Sequence, residues 1–248
     1  MAGAFVWHEL MTTDTAAATA FYANVVGWTP QDSGMPGYTL MLADGIHAAG
    51  LMPQPPEAAG TPPGWVGYVE VANVDASAAQ AATLGGTILA PGQDIPNVGR
   101  FAVIADPQGA VLCLFRGTTD AMPPAMAPGR FGWNELLAGD VATVWPFYAT
   151  MFGWTKADAI DMGPMGTYQL FASGGTSIGG MMNRPPQMPA AAWRYYIAVP
   201  DIDAAKTRAT ASGGQVINGP MEVPGGAWVI NAIDPQGAHF ALVGARAT

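Results

Sequence analysis

The repeat is what most restricts how this chain can fold. Trp7-His8-Glu9-Leu10, Asp14, Phe21-Tyr22 and Gly27-Trp28-Thr29 return as Trp133-Asn134-Glu135-Leu136, Asp140, Phe147-Tyr148 and Gly153-Trp154-Thr155, each 126 residues further on. Asp106-Pro107-Gln108-Gly109-Ala110 returns 128 residues later as Asp234-Pro235-Gln236-Gly237-Ala238. Matches at almost constant spacing mark a tandem duplication, so one architecture must form twice. Its chemistry should then appear once per half, or show where the halves have diverged.

The composition suits two packed domains of about 120 residues each: half of the 248 residues are hydrophobic and only 11% are charged. A net charge of −9 with nine Lys and Arg supplies no basic stripe for a nucleic-acid backbone or an anionic membrane surface. The start, Met1-Ala2-Gly3-Ala4-Phe5, lacks a basic segment followed by an apolar stretch, and no apolar run approaches the roughly 18 residues that span a bilayer. The expectation is a cytoplasmic protein with no nucleic-acid or membrane partner, acting as a monomer or homodimer. The one cysteine, Cys113, excludes an internal disulfide framework.

Hydrophobic patterning gives each half the same order of elements. Phe5 to Met11 reads as a strand, Asp14 as the N-cap of a helix from Thr15 to Val26, and Gly27 as its stop. Strands follow near Trp28 to Gln31, Tyr38 to Ala43 and Ile46 to Met52, the last two joined by an Asp44-Gly45 hairpin turn. After a proline-rich loop the order recurs: Trp65 to Ala72, Asp75 as N-cap, a helix closed by Gly85-Gly86, then Thr87 to Ala90, Arg100 to Ala105 and Val111 to Arg116. In the second half the counterparts include Tyr168 to Ala172, Ser177 to Met182, Trp193 to Val199, Asp203 as N-cap and Gly213-Gly214 as stop. Pro146 conflicts with a helix beginning at Asp140, which must start a turn later or kink. The fold class is α+β: four βαβββ units in two tandem domains, 1–118 and 130–248, with a linker over 119–129.

Asp14 seven residues before Phe21-Tyr22, a Gly-Trp after the helix, and Asp-Pro-x-Gly before the last strand resemble the vicinal oxygen chelate superfamily of glyoxalase I, extradiol dioxygenases and bleomycin-resistance proteins. The nearest pattern is that of two-domain glyoxalase/bleomycin-resistance-like proteins of actinobacteria and related bacteria. The resemblance implies open, barrel-like mixed sheets whose clefts hold a divalent metal in the enzymes and a drug in the resistance proteins. Transferred by position, the family's ligands fall on Trp7 and Trp133, on Val66 and Arg194, on Cys113 and Ala241, and near Gly50 to Met52 and Gly180 to Met182. Apart from Cys113 these offer no metal donor, and Arg194 would repel a cation. The expectation is therefore no metal and no other cofactor. His8 would become a ligand only through a one-residue slip that turns Val6 and Leu10 into the cleft, so it reads as a packed core histidine.

Alternation places Glu9 beside Trp7 and Glu135 beside Trp133 on the cleft faces. Each carboxylate is either a general acid or base with a raised pKa, or a structural partner of a buried donor. Val66, Tyr68, Glu70 and Cys113 line the first cleft, with Val111 and Phe115 from the last strand. Arg194, Tyr196, His239 and Ala241 line the second. Met52 and Met182 add adaptable walls. The second cleft is the better equipped: Arg194 could hold a carboxylate or phosphate while Glu135 or His239 moves a proton, unless Arg194 and Glu135 simply pair. Two functions follow, a binder of a hydrophobic or aromatic metabolite or drug, and a metal-independent enzyme of glyoxalase, isomerase, hydroxylase or dioxygenase type using Glu135, Arg194 and His239. An interaction module with filled clefts is a third.

Overall fold

The computed structural model describes residues 3–58, 60–119 and 127–246. Of the linker expected over 119–129, residues 120–126 lie outside the described residues. Four βαβββ modules follow one another. The first comprises β1 (Phe5–Thr12), α1 (Thr15–Val26), β2 (Thr29–Asp32), β3 (Thr39–Ala43) and β4 (Ile46–Pro53). The second comprises β5 (Gly64–Glu70), α2 (Val74–Thr83), β6 (Thr87–Ile95), β7 (Gly99–Ala105) and β8 (Val111–Gly117). The third comprises β9 (Phe131–Ala138), α3 (Val141–Phe152), β10 (Thr155–Asp161), β11 (Thr167–Ser173) and β12 (Thr176–Asn183). The fourth comprises β13 (Ala192–Asp201), α4 (Ile202–Ala211), β14 (Gln215–Glu222), β15 (Trp228–Ile233) and β16 (His239–Ala245).

Every module has the same mixed sheet. The last three strands form an antiparallel meander, and the final one lies parallel to the module's first strand, as β4 does on β1, β8 on β5, β12 on β9 and β16 on β13. The Asp44-Gly45 turn forms as its sequence requires. Both residues have positive φ, 49° and 74°, and Ala43 pairs with Ile46 across it.

Helix starts follow the caps, with two corrections. Asp14 and Asp140 cap α1 and α3, accepting from Ala17 N and from Ala142 N and Thr143 N. Asn73 and Asp201, rather than Asp75 and Asp203, cap α2 and α4. Starting two residues earlier puts Val74 and Ile202 inside the first turn, where both are buried; burial of a branched apolar side chain decides between two competent caps. Pro146 does not delay α3, which runs from Val141 through it. Pro146 and Ala142 are both exposed, so the carbonyl that loses its partner faces solvent.

The modules gather crosswise into two compact units. One contains residues 67–119 and 133–193, the second and third modules, with residues 3–7. The other contains residues 8–66, 127–132 and 194–246, the first and fourth modules. The duplicated motifs build the core of each. In the second unit the Tyr22 hydroxyl donates to Asp234 Oδ2 at 3.1 Å and accepts from Trp65 Nε1 at 3.0 Å. In the first unit the Tyr148 hydroxyl donates to Asp106 Oδ2 at 2.7 Å and accepts from Trp193 Nε1 at 3.2 Å. Each Gly-Trp motif also ties down a strand start: Trp28 Nε1 donates to Gly129 O and Trp154 Nε1 to Gly3 O. The Gly-Gly pairs do more than stop helices. A Cβ on Gly214 would stand 2.9 Å from the Phe21 ring, and one on Gly86 3.1 Å from Phe147. The phenylalanine of each Phe-Tyr pair therefore seats on a glycine of the other half.

Candidate functional site

The Asp-Pro-Gln-Gly turns set where the last strands begin. Asp106 accepts from Gln108 N and Ala110 N, and Asp234 from Gln236 N and Ala238 N. Gly109 and Gly237 take the positive φ that closes each turn, 91° and 99°. Burial raises the Asp234 carboxyl above its ordinary value even though these amides favour the charged form. Burial, then the Asp234 charge, drives the Tyr22 hydroxyl well above its own.

These turns fix the register of the strands that carry the candidate residues. Tyr68 pairs with Cys113 and Glu70 with Phe115, while Tyr196 pairs with Ala241. The two halves share this pairing register, but Val66, expected in the first cleft with Tyr68, Glu70 and Cys113, and Glu9, expected beside Trp7, fall in the unit that holds Arg194, Tyr196, His239 and Ala241. In the first unit Tyr68 is buried edge-on to Phe115, with ring centroids 6.0 Å apart, and Cys113 is buried beside it. Glu70 is 1% exposed, and its Oε1 accepts from Arg116 Nη1 at 3.1 Å. Glu70 is thus a buried carboxylate paired with an exposed arginine, 43% of whose side chain meets solvent. Arg116 escaped the sequence reading because alternation places its neighbour Phe115, not Arg116, next to Glu70.

The same unit holds Trp7, Trp133, Glu135 and Met182. Trp7, Trp133 and Met182 are half-buried and Glu135 is buried. Trp133 Nε1 donates to the Tyr168 hydroxyl at 2.8 Å. The Tyr168 ring lies over Gly180, where an added Cβ would collide with it. An oxygen thus comes to a stretch, Gly180 to Met182, whose own residues offer none; it arrives from β11 because glycine leaves room for a ring. Tyr38 covers Gly50 in the same way in the other unit.

The second unit holds Glu9, Met52, Val66, Arg194, Tyr196, His239 and Ala241. Glu9, Val66, Tyr196 and Ala241 are buried, Met52 and Arg194 half-buried, and His239 exposed at the start of β16. Arg194 stands close enough to act on His239: partial burial and then the guanidinium charge lower the imidazole, against the opposing pull of Asp234. Arg194 and His239 thus belong to one electrostatic group. Glu135, the third member of the expected set, belongs to the first unit. His8 is buried, stacked on Phe131 at 3.9 Å and edge-on to Tyr195 at 4.8 Å, a packed histidine.

One residue of this unit went unnoticed in the sequence. Asn231 on β15 pairs with Ala241, which pairs in turn with Tyr196, so the three form a row across the sheet. Its Oδ1 is buried and has no hydrogen-bond partner among the described residues. Val103 stands at the matching place in the other half, opposite Cys113. The divergence of Asn from Val at that position was the signal available.

Among the described residues, no three His, Cys, Asp or Glu side chains gather where a metal ion could be held. The positions onto which the family's ligands transfer carry indole, isopropyl, guanidinium and methyl groups, which do not fit a divalent cation, and the one thiol, Cys113, belongs to no cluster of donors among the described residues. Among the described residues no helix is long and apolar enough to cross a membrane.

Residues 7–115 match the glyoxalase-like domain family, and residues 130–242 match the glyoxalase/bleomycin resistance protein/dioxygenase superfamily. CFP32 of Mycobacterium tuberculosis, whose name assigns it provisionally to the glyoxylases, is 33% identical over 96% of this chain and 93% of its own length. The anthracycline biosynthesis protein DnrV of Streptomyces peucetius is 31% identical over 98% of this chain and 94% of its own. Two solved structures share the fold: the Mn(II)-bound glyoxalase of Novosphingobium aromaticivorans and the 2,3-dioxygenase LapB of Pseudomonas sp. KL28. The first has a TM-score of 0.68 at 14% identity, over 98% of this chain and 82% of that one. The second has a TM-score of 0.66 at 14% identity, over 100% of this chain and 94% of that one. By sequence and by fold, the chain belongs to the glyoxalase/bleomycin resistance protein/dioxygenase superfamily, with two tandem domains of that family.

Proposed function

We propose that this protein binds a planar aromatic or hydrophobic metabolite or drug without a metal ion, through its two sequence repeats 1–118 and 130–248. The observation that carries this reading is the replacement of ligand donors by Trp7, Trp133, Val66, Arg194 and Ala241, which suit flat apolar surface and one anionic group. Likeness over nearly the full length to a protein named for anthracycline biosynthesis supports a polycyclic aromatic ligand. The protein acts in the cytoplasm on a small molecule, with neither nucleic acid nor membrane as a partner.

A second reading, a metal-independent enzyme of glyoxalase, isomerase or hydroxylase type, is favoured by the Arg194–His239 group. An imidazole held below its ordinary value beside a fixed cation is mostly neutral at pH 7. It is suited to accept a proton from a substrate whose anionic end Arg194 holds. Metal analysis of the purified chain, with thermal-shift screening against planar aromatic acids, tests the first reading. The expected result is sub-stoichiometric metal and stabilisation by aromatic acids. Stoichiometric zinc, nickel, iron or manganese would overturn it.

A further inference from the structure

Among the described residues two buried side-chain oxygens of the second unit have no hydrogen-bond partner, Gln236 Oε1 in the Asp-Pro-Gln-Gly turn and Asn231 Oδ1 within the sheet. Leaving a buried acceptor unmade is costly, and such a group in a folded chain calls for a cause. For Asn231 simple packing does not supply one, since Val103 fills the equivalent place in the other half and pairs with Cys113 in the same register. Two changes distinguish the row in the second unit: the apolar Val becomes Asn231, and its neighbour Cys becomes the smaller Ala241. Together they put an amide oxygen next to a methyl group on the face that also carries Tyr196. Arg194 lies two residues before Tyr196 on β13, about 7 Å along the strand, and acts on His239 at the matching end of β16.

We infer that Asn231 is a ligand-recognition residue whose Oδ1 accepts a hydrogen bond from a hydroxyl of the bound molecule. This inference rests on the binding function proposed above. Asn231 ends the row as an acceptor, and Arg194, two residues along β13 from Tyr196, supplies a cation on the same strand face, with the Tyr196 ring as the aromatic surface between them. A ligand that fits carries a carboxylate or other anion at one end of a planar ring system and a hydroxyl donor at the other: a hydroxy-aromatic acid. Rotation about χ2, a soft torsion in asparagine, turns the amide toward the donor. A pocket that has an acceptor waiting discriminates against an analogue lacking the hydroxyl, because the acceptor then stays unmade.

The test uses the intact chain and three probes: 6-hydroxy-2-naphthoate, 6-methoxy-2-naphthoate and 2-naphthoate, titrated by fluorescence or calorimetry. The wild type is expected to prefer the hydroxy compound by roughly two- to tenfold, the worth of one hydrogen bond. Asn231→Val, which installs the residue of the other repeat, should bring the ratio of hydroxy-naphthoate to naphthoate affinity down to about one. It should also raise the unfolding midpoint, because it removes an unmade acceptor. Arg194→Gln should weaken all three probes. If Asn231→Val keeps the hydroxy preference, or lowers the midpoint with selectivity intact, Asn231 is a structural residue and the inference is overturned while the binding function stands. Should the valine variant fail to fold, Asn231→Ala carries the same comparison. If the wild type binds none of the probes, the binding function itself is overturned together with the inference.

Discussion

At the residue scale, Tyr22, Tyr148 and His239 carry measurable hydrogen-bonding or charge consequences. The Tyr22 hydroxyl serves Trp65 and Asp234 at once in a buried setting, so Tyr22→Phe removes a partner from each. We expect a loss of about 1–3 kcal/mol in a denaturant titration, and a similar loss for Tyr148→Phe, because the equivalent network is repeated with Trp193 and Asp106. His239 has its imidazole lowered from 6.5, so the unfolded chain takes up its proton at a higher pH than the folded one. Its contribution to stability is therefore present above about pH 6.5 and falls away as pH drops toward the folded-state value. Thermal unfolding between pH 7.5 and 5 should show the wild type losing more stability than His239→Gln over that window; parallel profiles would contradict the assignment. Binding of an anion at Arg194 should reduce the difference, since it neutralises one cause of the shift.

Element boundaries separate what patterning can reveal from what it cannot. The helix starting after Asp14 and the Asp44-Gly45 hairpin were legible because each depends on local chemistry, whereas the start of α3 was not, because the carbonyl that Pro146 leaves without a partner faces solvent and tolerates the proline. The starts of α2 and α4 were not legible either. Asn73 and Asp75, like Asp201 and Asp203, are both competent caps two residues apart, and only the buried surface beneath Val74 and Ile202 chooses between them. Replacing Asn73 or Asp201 with Ala should cost roughly 1 kcal/mol in equilibrium unfolding. Asp75 and Asp203 instead face solvent, where they pair with Arg100 and Arg246. Their replacement should cost less, because exposed ion pairs contribute little. The reverse ranking would show that the caps lie where the sequence alone first suggests. Alternation puts Trp133 and Glu135 on one face of β9. Tyr168 was not legible in the sequence, since its hydroxyl reaches Trp133 from a different strand over a glycine.

For the whole molecule, the repeat reveals two copies of a fold but not which copy meets which. Tyr22 of the first half finds Asp234 of the second, and Tyr148 of the second finds Asp106 of the first. No sequence periodicity encodes that exchange, because the partner motifs are identical in both halves. Halves 1–118 and 130–248 expressed together as separate chains should therefore co-purify as a one-to-one complex. Two halves that fold and remain apart would contradict the crosswise pairing. The candidate residues differ between the repeats while the scaffold motifs are kept, with Arg194, Asn231 and Ala241 standing where the first half has Val66, Val103 and Cys113. As proposed above, this superfamily member binds an aromatic acid by side chains alone. Calorimetric titration of 6-hydroxy-2-naphthoate into the protein before and after exhaustive chelation tests it most directly. The account predicts the same affinity in both samples, with the negative heat-capacity change of apolar burial; binding that disappears on chelation and returns with manganese or zinc would contradict it.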